Sequence, residues 1–165
     1  MAELYIAGGQ QRRNAAWREE WHHYEKALLV RLDTETGRAE RVLEYVTPDE
    51  ACAAGEVPGI LFKSGAREGN TLYLCTQTEV MGVGLPDLER RFYLSLPCFN
   101  DVHHVCPTSR GTLLVACTGL DLVVEVTREG EVRNEWAVLG GDPWEKFSRT
   151  SESPSWSRAS SAARK

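Results

Sequence analysis

The stretch that decides the fold is residues 101–140, DVHHVCPTSRGTLLVACTGLDLVVEVTREGEVRNEWAVLG. It contains four apolar runs of six or seven residues, separated by turn-forming residues. Runs of this length, rich in Val, Leu and Thr, predict buried strands and are too short for helices. Gly130, between the third and fourth runs, supplies the positive φ that a tight hairpin turn needs. The pattern therefore predicts a four-stranded antiparallel unit.

The same pattern occurs two more times in the chain. Gly69 and Gly111 begin corresponding units that are 42 residues apart. A period of about 40–50 residues made of short strands is typical of propeller blades. The sequence predicts an all-β partial propeller of about three four-stranded antiparallel blades. We expect the blades at about residues 3–46, 57–97 and 100–141, with the inner strand of the second blade at 59–65.

Two parts of the chain depart from the blade pattern. The first unit begins with what reads as the second strand of a blade, so we expect its inner strand to be missing. Residues 10–25 interrupt this unit and predict a short helix or a long polar loop. Residues 146–165 contain no apolar run, which predicts a disordered tail. Because a closed propeller needs at least about four blades, we expect the chain to be part of a longer propeller.

Composition excludes some partners and indicates a compartment. The net charge of −5, with 24 acidic and 19 basic residues, argues against nucleic acid as a partner. No run of about 18 apolar residues is present, so we expect no membrane segment. The first residues lack the pattern of a secretion signal, and the five cysteines are an odd number. We therefore expect reduced thiols and a cytoplasmic location.

Residues 101–140 resemble the NHL repeat and, more loosely, the six-bladed propellers of the SMP-30/gluconolactonase type. The residues that carry the resemblance are Gly111, 114–116, 118–119, Val123, Gly130 and 139–140. The resemblance extends over about residues 57–141 and implies a propeller fold. It implies little about activity, because propellers support many unrelated functions.

The candidate site lies in residues 98–106, CFNDVHHVC. In a propeller this run forms an inner strand beside the central channel. Neighbouring residues of a strand face opposite sides, so Asp101 and His103 should share one face while Asn100 and His104 share the other. The pair Asn100–Asp101 resembles the Asn–Asp placement that holds a divalent cation in SMP-30-like propellers. The resemblance implies a calcium, zinc or substrate site completed by His103 or His104; the alternative is that these residues only satisfy backbone groups between blades.

Other polar residues are weaker candidates. A zinc site using Cys98 and Cys106 is disfavoured, because an extended strand separates the two by about 26 Å. Glu79 and Asp121 follow corresponding strands, where they either cap turns or form a ring of carboxylates for a cation. The neighbouring residues His22 and His23 predict a solvated loop, or a lid over the channel.

Two functions compete at this stage. The first is a propeller-type scaffold that binds a small ligand or a partner protein. The second is a metal-dependent hydrolase of the lactonase type, or a lyase, using a cation at the channel mouth. No GxSxG, HExxH, P-loop or GxGxxG motif is present in the sequence, which favours the scaffold. An incomplete ring would also leave apolar blade edges open, so we expect self-association.

Overall fold

The computed structural model describes residues 3–13, 22–51 and 58–144, and these residues form three antiparallel sheets. Sheet 1 contains β1 (Glu3–Gln11), β2 (Tyr24–Asp33) and β3 (Ala39–Tyr45). Sheet 2 contains β4 (Ser64–Glu68), β5 (Thr71–Cys75), β6 (Val80–Gly84) and β7 (Arg90–Leu94). Sheet 3 contains β8 (Val102–Pro107), β9 (Leu113–Cys117), β10 (Leu122–Val126) and β11 (Val132–Ala137). Within these ranges helical structure is limited to His22 and a single 3₁₀ turn at Thr118–Leu120, so the prediction of an all-β chain is confirmed.

Consecutive strands are neighbours in each sheet, and short turns join them except between β1 and β2, where the connection runs from Gln11 to Tyr24. In sheet 3 the turn between β10 and β11 closes with a hydrogen bond of 3.1 Å from the Gly130 amide to the Thr127 carbonyl oxygen. Gly130 has a φ of 90°, and Gly37 in the corresponding turn of sheet 1 has a φ of 72°. L-residues with a side chain rarely adopt such angles, so glycine is the residue that these hairpins require.

Sheet 2 is buried on both sides, so it lies between sheet 1 and sheet 3. Successive side chains on a strand face opposite sides. Accordingly, Leu72 and Leu74 of β5 pack in a core with sheet 1, whereas Tyr73 and Cys75 pack in a second core with sheet 3. The inner strands β4 and β8 also lie against each other. Sheets arranged side by side with adjacent inner strands are the arrangement of propeller blades, and the predicted partial propeller is confirmed.

Sheet 1 has three strands in the order β1–β2–β3, and the inner strand that β4 and β8 supply to the other sheets is missing from it. The prediction of an incomplete first blade is therefore confirmed for the described residues. The interruption of this sheet is shorter than the predicted 10–25, because β1 continues to Gln11 and β2 starts at Tyr24. The predicted helix and the predicted disordered tail fall mainly on residues 14–21 and 145–165, outside the described residues.

The predicted position of the second inner strand was wrong. We expected it at 59–65, but β4 occupies Ser64–Glu68. Residues 60–62 instead run along the end of sheet 1, where the Ile60 amide donates to the Tyr24 carbonyl at 3.0 Å and the Phe62 amide donates to the Gly8 carbonyl at 2.9 Å. Both side chains are buried in the core between sheets 1 and 2. These apolar residues bridge two sheets, a role that their local pattern does not distinguish from a strand.

Candidate functional site

A cluster of polar side chains lies where the inner strands of sheets 2 and 3 begin. Lys63 directly precedes β4, and Asp101 directly precedes β8. The Lys63 ammonium is hydrogen-bonded and ion-paired to Asp101 Oδ1. His103 Nε2 lies 2.9 Å from Lys63 Nζ and 3.2 Å from Asp101 Oδ2, and the Thr118 hydroxyl donates to Asp101 Oδ2 at 2.8 Å. We call these four residues, together with Ser64 and His104, the entrance cluster.

The local backbone turns the Asp101 carboxylate toward Lys63. Asp101 has a φ of 50°, in the left-handed region that Asp adopts more readily than most side chains. The Thr118 amide and hydroxyl both donate to the Asp101 carbonyl oxygen, at 3.1 and 2.8 Å. These bonds tie the entrance of β8 to the turn after β9, and they hold the carboxylate beside the neighbouring sheet.

A β-bulge places the two histidines on the same exposed edge. Val102 pairs with Cys117 and His104 pairs with Ala116, so His103 is an extra residue in β8. Val102 and Val105 are buried, and both imidazoles between them are exposed. Simple alternation had predicted opposite faces for His103 and His104; the bulge removes that separation.

The two imidazoles have different partners across the junction between sheets. His103 contacts Asp101 and Lys63, whereas His104 Nδ1 lies 3.0 Å from the Ser64 hydroxyl oxygen. Asn100 is not part of this network. Its side chain lies over Gly119, where a Cβ would overlap Asn100 Oδ1. The predicted set of Asn100, Asp101, His103 and His104 is thus divided, and within it Asp101 and His103 are hydrogen-bonded to each other.

Charge and hydrogen bonding stabilise the ionised form of Asp101. Partial burial opposes ionisation, but the hydrogen bonds from Lys63 and Thr118 and the charge of Lys63 lower the pKa of Asp101. The Nε2 atom of His103 can accept a hydrogen bond from Lys63 or donate one to Asp101, but it cannot do both. Whether Nε2 carries a hydrogen atom therefore decides which of the two charged neighbours it binds.

The entrance cluster combines several hydrogen-bond donors with one carboxylate. Asp101 is acceptor-only when ionised, and Lys63, Thr118 and His103 already contact its oxygens. The side chain of His103 is 53% exposed, that of Asp101 28% and that of Lys63 14%, so the imidazole is the most accessible of the three. Cations and imidazoles that face solvent in this way suit a ligand that carries an acidic group.

The predicted cation site has no set of metal ligands in the described residues. Within residues 3–13, 22–51 and 58–144, no three His, Cys, Asp or Glu side chains are grouped so that they could hold a metal ion. The Asp101 carboxylate is ion-paired with the Lys63 ammonium. Cys98 is buried and Cys106 is exposed, which places the two thiols of the weaker zinc proposal in different environments.

Glu79 lies between sheets 1 and 2 and binds side chains of both. Its carboxylate is completely buried and accepts hydrogen bonds from four hydroxyl groups. Tyr45 and Thr47 donate from sheet 1 and the segment that follows it, while Thr76 and Tyr93 donate from sheet 2 and its turn, Thr76 at 2.7 Å and Tyr93 at 2.9 Å. Burial and the bonds to Glu79 raise the pKa of both tyrosines. Glu79 joins two sheets as well as closing its own turn.

The remaining candidates lie apart from this arrangement. Asp121 has a φ of 49° and belongs to the turn before β10, where its amide donates to the Thr118 carbonyl oxygen at 3.2 Å. His22 and His23 lie in the connection between β1 and β2, and their carbonyl oxygens accept hydrogen bonds from Arg12. The lid role of the two histidines stays a prediction. Burial raises the pKa of Cys75 and Cys117, as expected for small buried residues.

Sequence reasoning missed Lys63, Ser64 and Thr118. A usable signal existed for Lys63, which precedes an inner strand just as Asp101 does and lies 38 residues earlier, close to one repeat. Ser64 and Thr118 carry no such signal, because hydroxyl residues are common in turns and at strand ends.

Comparison with known proteins gives a likeness of shape only. No protein-family model matches the chain, and no curated protein matches it. Among solved structures, the chain is similar to the Pan2 WD40 domain of Neurospora crassa, with a TM-score of 0.48 and 12% identity over 68% of this chain and 32% of that domain. It is also similar to a protein of unknown function from Bacteroides caccae, with a TM-score of 0.34 and 13% identity over 86% of this chain and 60% of that one.

The chain thus spans about a third of the WD40 domain and 60% of the Bacteroides caccae protein. The resemblance to the NHL and SMP-30 propellers stays a prediction. No helix in the described part of the chain is long and apolar enough to cross a membrane.

Proposed function

We propose that the chain is a propeller-type binding scaffold whose entrance cluster binds a small ligand that carries a carboxylate. The observation that supports this function is the contact of Lys63, Asp101 and His103 at the entrance of two adjacent inner strands. Inner strands line the channel of a propeller, where a ligand can reach several blades at once. A small acidic metabolite is the ligand class, and an acidic side chain of a partner protein would use the same donors.

Electrostatics set the expected strength of binding. Lys63 has two close partners for its three protons, and His103 and His104 present imidazoles to solvent. A hydrogen bond to a charged group contributes about 1.5–3 kcal/mol, so loss of Lys63 should weaken binding about tenfold or more.

Histidine NMR provides a direct test, since the chain has only four histidines. The chain is labelled with ¹⁵N-histidine and titrated with succinate at constant ionic strength. Saturable shifts at His103 and His104, with His22 and His23 unchanged, support the proposal. Lys63→Met should weaken the response, whereas Lys26→Met, which removes an exposed lysine paired with Glu44 on sheet 1, should leave it intact.

The same samples separate the binding scaffold from a cation-dependent enzyme. Calcium chloride and zinc chloride are titrated in place of succinate. A saturable response to either cation, with none to succinate, replaces the proposal with the cation site predicted from sequence. Equal shifts of all four histidines with succinate, or no shift at all, refute binding at the entrance cluster.

A further inference from the structure

At each end of the row of three sheets, one sheet face is rich in apolar side chains, and no further sheet of the described residues packs on it. We define the front face of a sheet as the side toward the preceding sheet, and the back face as the side toward the following one. The front face of sheet 1 alternates along β1 and β2 with the residues that pack on sheet 2. Its apolar side chains are Leu4, Ile6, Leu28, Val30 and Leu32. Ile6 is 45% exposed, and none of the five belongs to a core formed by the described residues.

The back face of sheet 3 is the corresponding surface at the other end. Ala116, Val123 and Trp136 form one row across β9, β10 and β11 with His104 of β8, and Leu114 lies in the next row with Cys106, Glu125 and Asn134. These residues alternate with Val115, Cys117 and other residues of the core between sheets 2 and 3. The Trp136 side chain is 47% exposed. An exposed tryptophan beside aliphatic side chains is typical of an interaction surface.

One of the two surfaces is a front face and the other is a back face, and inside the chain a back face always packs on a front face. The back face of sheet 1 packs on the front face of sheet 2, and the back face of sheet 2 packs on the front face of sheet 3. One front face and one back face are then left over. A second copy carries the same pair of unused faces.

We propose that two copies of the chain pack head to tail, each placing the back face of its sheet 3 on the front face of sheet 1 of the other. Head-to-tail contacts form a closed ring only when the rotation between subunits closes, and otherwise they form open filaments. Propellers close with about four to eight blades. With the three sheets that the described residues of each copy form, one copy gives too few blades and three copies give too many, whereas two copies give six.

The size of the faces is sufficient for a stable dimer. Strands lie about 4.8 Å apart and rise about 3.3 Å per residue, so the three longer strands of sheet 1 and the four shorter strands of sheet 3 each form a face of at least about 300 Å². The dimer has two contacts, each covering one face from either copy, so about 1,200 Å² is covered. That area reaches the lower limit of about 1,200 Å² for stable protein interfaces.

Burial of these faces also buries carboxylates, and Glu44 and Glu125 each have partners within their own sheet. On sheet 1, Glu44 is paired with both Lys26 and Arg41, at 2.6 and 2.8 Å. On sheet 3, Glu125 accepts hydrogen bonds from Arg110 at 2.9 Å and Asn134 at 2.7 Å. An isolated buried charge would oppose association strongly, and these pairs avoid that cost. The ring also brings the inner strands of both copies to one channel, so that two entrance clusters face a common axis.

The oligomeric state of the full 165-residue chain tests the proposal without any ligand. Sedimentation equilibrium should give twice the chain mass of 18.5 kDa. Ile6→Lys and Trp136→Lys should each weaken dimerisation at least tenfold, because each copy contributes both faces. Val132→Lys is the matched control: Val132 lies on the same strand as Trp136 and is 41% exposed, but it pairs with the core residue Val126 on the other side of the sheet. This control should stay dimeric.

Mixing the two variants distinguishes a head-to-tail contact from a symmetric one. In a mixed pair, one contact carries both substitutions and the other joins two unaltered faces. The mixture should therefore associate more tightly than either variant alone, and this gain also shows that both variants are folded. A monomeric wild-type chain overturns the proposal and indicates that blades of another origin cover the faces. Open polymers, or dimerisation that depends on Trp136 alone, overturn it as well.

Discussion

Replacement of Glu79 by glutamine should destabilise the chain, because it removes two of the four hydrogen bonds that join sheets 1 and 2. Oε1 accepts from the hydroxyls of Tyr45 and Tyr93, and Oε2 accepts from those of Thr47 and Thr76. The amide nitrogen of glutamine is a donor only. In either orientation of the amide, two hydroxyls that are partly or fully buried face a donor and lose their acceptor.

The expected magnitude follows from the number of bonds lost. A hydrogen bond to a charged group contributes about 1.5–3 kcal/mol, and two such bonds are lost. Relief from burying a carboxylate offsets part of this loss, so we expect Glu79→Gln to lower the free energy of unfolding by about 3 kcal/mol. Because the total stability of a domain is about 5–15 kcal/mol, such a change is easily measured.

Urea denaturation at pH 7, followed by circular dichroism at a fixed protein concentration, measures this change. Glu129→Gln, in an exposed turn, serves as the control and should stay within about 0.5 kcal/mol of the wild type. Tyr93→Phe removes one donor and should cost less than Glu79→Gln. A loss below about 1 kcal/mol for Glu79→Gln would refute the reasoning, since it would show that the four hydroxyls do not depend on the carboxylate.

Three further predictions concern alkaline, acid and thiol chemistry. Folding raises the pKa values of Tyr45 and Tyr93. Their contribution to the free energy of unfolding should therefore be fully present below the ordinary tyrosine pKa of about 10 and should fall as pH rises above it. Melting temperatures from pH 8 to 11 should fall less steeply in Tyr45→Phe. Hydrogen bonds from Thr112, Arg110 and Asn134 lower the pKa of Glu125 to about 2, so its contribution should be present above about pH 4.5 and lost as pH falls toward 2; a Glu125→Gln melting curve that keeps the full acid dependence of the wild type contradicts this. Iodoacetamide should modify the exposed Cys106 in the native chain and reach the buried Cys75 and Cys117 only on unfolding, as peptide mapping by mass spectrometry would show; modification of all three at one rate would indicate that the sheets open readily.

The strand content and the number of sheets were predictable because both depend on patterns among residues that are close together in the sequence. Alternation along β10 and β11, the glycine at position 130 and the 42-residue spacing of Gly69 and Gly111 depend only on residues near one another in the chain. Backbone geometry converts such patterns directly into strands and turns. The inner strand of sheet 2 was misplaced for the same reason, since Ile60 and Phe62 have an apolar strand-like pattern but are buried between two sheets.

The candidate site was predictable only in part. Asp101 and His103 were expected to share a face, and they are in contact. The bulge that exposes both His103 and His104 depends on how β8 pairs with β9, which the local alternation cannot show. Asn100 was chosen for its chemistry, but its side chain lies over Gly119.

The sequence by itself determined that this chain forms short antiparallel strands in three repeated units, because side-chain alternation and turn glycines act over a few residues. Only the tertiary structure decided that Lys63 binds Asp101 across 38 residues and that Glu79 binds Tyr45 across 34. Such contacts depend on which sheet packs against which and at what register. Burial of apolar faces determines the packing and the register, and this driving force is non-directional. The local sequence around the polar residues therefore does not show which of them will come into contact.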